Sequence, residues 1–151
     1  MSGTNYTNFN GRRAGQDNIT GRLFAEGEPY TVAMEAADGG LNITEVTMTV
    51  QDYFGKTLAG VFNMEIWLSD ATTGAGLTAT TASGAVAAKT SSGADLAVLT
   101  TKKALLVQTL ATGLYTLSIT DTAKTAFKVC ARVPGKAATV VGITLASGDY
   151  G

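Results

Sequence analysis

Among the groups in this chain that could carry out chemistry are one thiol, Cys130, and 12 carboxylates, with no histidine anywhere in 151 residues. Without an imidazole, neither a Ser-His-Asp nor a Cys-His nucleophile can be assembled, and the His-containing zinc sites are excluded as well. A single thiolate can neither form a Cys-only metal site nor close an internal disulfide, so Cys130 is expected to be a small buried hydrophobe. Carboxylates remain, because two acids suffice for glycoside hydrolysis. Asp70, Asp95 and Asp121, however, each adjoin a turn signal, where Asp commonly accepts hydrogen bonds from nearby backbone. No loop spaces its acids for a calcium cage, no G-x-x-x-x-G-K-[ST] phosphate loop occurs, and the "GAG" at 74–76 lacks the rest of a dinucleotide fingerprint. The expectation is a protein that is not an enzyme and carries no cofactor and no metal.

Composition narrows the partners. Charged residues make up 15% of the chain, below the roughly 25% of ordinary soluble domains, and the net charge is −1. That balance offers no basic footprint for nucleic acid. No run approaches the roughly 18 apolar residues of a membrane span, and "MSGTNYTNFNGRRAGQDNIT" has no apolar signal-peptide core, so a soluble product made in a cytoplasm is expected. Thr and Ala supply about two dozen residues each and Gly 18. Thr, together with Val, favours strands, and Gly favours turns.

The elements that must position these groups follow from periodicity. Residues 1–30 read as an extended N-terminal arm, since Tyr6, Phe9, Ile19, Leu23 and Phe24 are spaced too widely for a helical stripe or a strand alternation. Residues 31–151 read as one β-sandwich domain. "ITEVTMTV" (43–50) puts Val46, Met48 and Val50 on one face, and "VFNMEIWL" (61–68) puts Phe62, Met64, Ile66 and Leu68 inward with Trp67 as an exposed or edge aromatic. "LTATTASGAVAA" (77–88) is expected to hold two short strands around a turn at Ser83 and Gly84. "LAVLTTKKALLVQT" (96–109) predicts two strands about a solvated turn at Lys102 and Lys103, with a helix over "KKALLVQTL" as the competing reading. "GLYTLSIT" aligns Tyr115, Leu117 and Ile119, "DTAKT" connects by a hairpin or an inter-sheet crossover, and "AFKVCARV" aligns Phe127, Val129, Ala131 and Val133 opposite Lys128, Cys130 and Arg132. After the "PGK" turn, "ATVVGITLA" aligns Thr139, Val141, Ile143 and Leu145. The fold class that results is all-β, an antiparallel immunoglobulin-like β-sandwich of about seven to nine strands, without the Cys…Trp…Cys framework of antibody domains.

From "VTMTVQDYFGKTLAGVFNMEIWLSDA" through "TASGAV" and "LTTKKALLVQTLATGLYTLSITDTAKTAFKVCARVPGK" to "VGITLASGDYG", the chain resembles small virion structural proteins of tailed bacteriophages, of the head decoration (cement) or head-fibre type. The likeness rests on a strand ending in "WLSDA", a Gly-rich link, "TLATG" before a strand and "TDTAKT" before "FKV". It covers roughly the last 105 residues and not the arm.

The resemblance implies a capsid decoration protein on the outside of an icosahedral head, with the major capsid protein and neighbouring copies of itself as partners. Bridging neighbouring subunits adds buried area where the shell would otherwise open. In that role Tyr6, Phe9, Leu23 and Phe24 of the arm would be apolar anchors, with Arg12 and Arg13 meeting acidic surface or carbonyls. Tyr53, Phe54 and Trp67 are candidates for a surface or subunit contact. The alternative is a head- or tail-fibre module that stacks those aromatics on a receptor or glycan, which the lack of an aromatic cluster in the sequence weakens.

Overall fold

The structure, a computed structural model, describes residues 26–135 and 140–151 in full and the backbone of residues 7–9, 12–16 and 23–25. Among the described residues twelve strands follow in order: β1 (Thr7–Phe9), β2 (Arg12–Gln16), β3 (Leu23–Ala25), β4 (Thr31–Gly40), β5 (Ile43–Gln51), β6 (Asn63–Ser69), β7 (Val86–Ala88), β8 (Ala94–Thr100), β9 (Ala104–Gln108), β10 (Leu114–Thr120), β11 (Lys128–Arg132) and β12 (Val140–Thr144). A short 3₁₀ helix, Ser147–Tyr150, follows the last strand. The strands form a four-stranded sheet in the order β4-β5-β10-β7 and a five-stranded sheet in the order β12-β11-β6-β9-β8, with every paired neighbour antiparallel. These nine strands are the sandwich. The first three strands make a separate sheet, β1-β2-β3.

In space the two layers have the ABED and GFCC′C″ layout of a variable-type immunoglobulin domain. The order of visits differs. After β6, which occupies the C position, the chain goes to the D position (β7), then C″ (β8), then C′ (β9). The connection from β10 to β11 changes sheet, so of the two readings of "DTAKT" the crossover is the one observed.

Period-two burial builds the core. Val46, Met48 and Val50 from β5 and Tyr115, Leu117 and Ile119 from β10 are fully buried and face Met64, Ile66 and Leu68 of β6, Leu105 and Val107 of β9, and Phe127, Val129 and Ala131 around β11. Each Val, Leu, Ile, Met or Phe among them contributes about 1.5–3 kcal/mol on leaving water. Phe62, expected inside, is half-buried because it precedes β6 and packs at the rim. Leu145 and Tyr150 close the far end of the core, where the Tyr150 hydroxyl donates to the carbonyl of Thr125 at 2.8 Å.

Several expectations change in the structure. The arm residues, read as neither helix nor strand, include three short strands in register, with Phe9 opposite Arg12, Asn8 opposite Arg13, and Gly15 opposite Phe24. Strands of three to five mixed residues are too short to show a period. Between 77 and 88 only β7 forms. The segment before it is irregular, with Ala82 buried and Ser83 bonded across to Asp121 and Thr122. Val141 is 36% exposed rather than inward, because the register shifts between Val129 and Cys130, skipping Gly142 on β12. That bulge reverses the phase on its N-terminal side, so that Val140 packs against the core in its place, while Thr139 lies outside the described residues. The helix reading of "KKALLVQTL" fails, since 104–108 pairs on both sides as β9.

Candidate functional site

The three carboxylates singled out in the sequence, Asp70, Asp95 and Asp121, are all engaged in hydrogen bonds within the fold. Asp70 accepts from the Thr78 hydroxyl at 2.6 Å and the Ala79 N–H at 2.7 Å, and these two bonds, Thr78 first, hold its carboxyl below the ordinary value. Asp121 is desolvated, which opposes its charge. Hydrogen bonds from the Thr125 side chain and from the N–H groups of Thr125, Ser83 and Ala123 outweigh that burial and lower its pKa. Asp95 accepts from the Tyr115 hydroxyl at 2.7 Å and from the Ala88 N–H, tying β8 to β10 and β7. Burial, then the bond to Asp95, pushes the Tyr115 phenol far up. The turn-capping role expected for these acids is thus seen, reaching seven to nine residues along the chain or across strands. Among the described residues no group of three or more acids and thiols could hold a metal ion. No helix of the described residues is long and apolar enough to cross a membrane.

Cys130 is fully buried although it lies on the outer face of β11. It sits between Trp67 of β6 and Val141 of β12 in the sheet register. Desolvation raises its thiol pKa against the pull of Lys128. A charged-thiolate reagent test follows: Cys130 of the folded protein should resist a water-soluble disulfide reagent and react within seconds in denaturant, read as released chromophore.

Two groups of side chains remain for contact with something else. The first is the root of the N-terminal segment. Asp52 is fully buried, and its Oδ1 accepts from the N–H groups of Phe54 and Lys56, both at 2.9 Å, while Oδ2 accepts from the N–H of Gly27 at 3.1 Å. Lys56 also lies 3.4 Å from Glu26. Above this turn Tyr30, Tyr53 and Phe54 meet edge-to-face, with ring centroids 5.3 and 5.4 Å apart. An aromatic cluster therefore exists where the sequence showed none, because Tyr30 is brought back to the 52–56 turn by the pairing of β4 with β5. Asp52→Ala strands three backbone donors and should cost about 2–3 kcal/mol, while making the bond after residue 27 more susceptible to limited proteolysis.

The second is the outer face at Trp67. Trp67 lies on β6, the middle strand of its sheet, and is half-buried, so it is neither an edge residue nor fully exposed. Its Nε1 donates to the Gly74 carbonyl at 2.9 Å, and the Arg132 guanidinium lies 5.5 Å from its ring centroid. Arg132 also reaches Glu65, at 3.6 Å. Trp67, Arg132 and residues 74–77 line an open groove of about 330 Å³. Lys102 and Lys103, read as a solvated turn, instead donate to the carbonyls of Ala82, Ser83 and Ala79 and hold that loop.

Of the six arm residues singled out, Phe9, Arg12, Arg13, Leu23 and Phe24 share the β1-β2-β3 sheet, and Tyr6 lies outside the described residues. Tyr53 and Phe54 stand together at the root, well separated in sequence and sheet from Trp67. Sequence reasoning missed Asp52, whose signal was the D-x-x-G spacing of a turn, and Tyr30. It also missed the exposure of β8, whose seven residues are all exposed. No family model matches this chain, and no curated protein is similar to it.

Proposed function

We propose that this chain is a non-enzymatic structural protein of a phage virion, a decoration protein that binds the outer surface of the head through its N-terminal segment and stabilises the shell. The observation that carries the reading is the division of labour in the chain: a sandwich in which Asp70 and Asp121 serve its loops, and an N-terminal segment with a sheet of its own, rooted in the sandwich by buried Asp52. A short sheet carrying Phe9, Phe24, Arg12 and Arg13 supplies the residue types that dominate interface energetics. Load applied to that segment would pass to β4 and β5 through the Asp52 bonds and the Tyr30, Tyr53 and Phe54 cluster. The resemblance of residues 46–151 to phage head proteins supports the same reading.

Binding to expanded heads lacking the protein tests it. The full chain should bind saturably and raise the temperature at which heads release their contents, and Arg12→Glu with Arg13→Glu should weaken binding at least tenfold. Absence of binding by folded protein would sink the reading. One feature favours the fibre alternative, namely the Trp67 and Arg132 groove, and glycan binding abolished by Trp67→Ala would move the assignment there.

A further inference from the structure

The two layers of the sandwich are unequal, five strands over four, and the unmatched strand is β8. Its register sets Val98 opposite Leu105 and Asp95 opposite Val107. Paired residues project from the same face of a sheet, so Val98 lies on the core side with two residues that are 2% and 0% exposed. Val98 itself is 62% exposed. The core face of the five-stranded sheet therefore continues past the last strand beneath it, the three-residue β7. Leu96 and Leu99, the residues skipped by the two register shifts of β8, enlarge the apolar flank, at 46% and 54% exposed. The opposite flank of the sandwich is closed, with β12 packed on β4 and Met34 lying directly on Gly142.

We propose that a second copy of this chain fills the step. A two-fold axis parallel to the strands turns the overhanging strand of one copy under the overhanging strand of the other, a half-lap joint in which each layer continues five strands with four. Three features favour a second copy over a different protein. The step is one strand deep and is filled by a step of the same depth, as an isologous contact requires. The only charged side chain in β8, Asp95, is tied to the Tyr115 hydroxyl and the Ala88 N–H near the start of the strand, so the stretch from Leu96 to Leu99 that meets its own image carries no charge. Leu96, Val98 and Leu99 of each copy, 46%, 62% and 54% exposed, supply an apolar centre of the same make-up on both sides of the contact. The joint goes beyond the shell-binding reading and stands independently of it.

Sedimentation of the free, full-length protein tests the joint. Wild type should dimerise, and Val98→Lys should weaken dimerisation at least tenfold while leaving the unfolding temperature of the monomer unchanged, since the side chain is already in water. Leu41→Lys, at a hairpin tip 87% exposed, should leave the dimer intact. Val98→Cys should form an inter-copy disulfide under mild oxidation, Cys130 being buried. A wild type that stays monomeric at hundreds of micromolar, or a dimer indifferent to Val98→Lys, overturns the joint. Monomeric protein that binds heads would remove the joint alone, and dimeric protein that ignores them would remove the shell reading alone.

Discussion

Gly113→Ala should lower stability by about 3–5 kcal/mol, a drop in unfolding temperature of roughly 10 °C or more for a domain of this size. Gly113 has φ +80°, in the left-handed region that L side chains rarely adopt, and a Cβ there would fall on the carbonyl oxygen of Leu58. Both ends of the residue are fixed. Its N–H donates to Leu110 at 2.9 Å and its carbonyl accepts from Val50 at 3.1 Å, so the turn into β10 cannot shift without breaking the start of a central strand. Gly55 has nearly the same φ, +79°, with nothing near its missing Cβ. Gly55→Ala should therefore cost only the backbone strain, about 1–2 kcal/mol, and the difference between the two variants in urea unfolding measures the clash. Equal midpoints would mean that the segment at Leu58 yields freely.

Tyr115→Ala should be as damaging, at about 4–5 kcal/mol. Tyr115 is fully buried in the middle of β10, and its removal leaves a cavity walled by both sheets. It also releases Asp95, which then loses the one side chain that holds it inward. Tyr115→Phe separates the two effects. It keeps the ring, and Asp95 keeps the Ala88 N–H, so the expected loss is about 1–2 kcal/mol. A chevron or equilibrium denaturation series that found Phe as costly as Ala would place the stability in the hydroxyl rather than in the packing.

These two positions differ in how far the sequence announces them. Tyr115 alternates with Leu117 and Ile119, and that spacing by itself puts it in the core. Gly113 is one of 18 glycines, and nothing in "ATGLY" separates it from Gly55 in "YFGKT". What separates them is the approach of the chain at Leu58, which comes from the other side of a 55-residue excursion. The candidate site divides in the same way. The arm residues Phe9, Arg12, Arg13, Leu23 and Phe24 can be picked out as chemically apt, but their assembly into one sheet depends on pairings too short to leave a period. Asp70, Asp95 and Asp121 were legible as capping acids because Asp at a turn has few other uses.

The sequence by itself determined the class of the fold, the inward faces of β5, β6, β10 and β11, and the lack of any imidazole chemistry. Local alternation carries that information because a side chain's direction along a strand depends only on its neighbours. The tertiary structure decided what alternation cannot encode. One skipped residue, Gly142, exchanged Val141 for Val140 at the core. The order of strands in the layers placed Trp67 mid-sheet and carried β8 past the edge of its partner layer. Burial is a property of what lies opposite, and for "ADLAVLT" the four-stranded sheet ends one strand too soon.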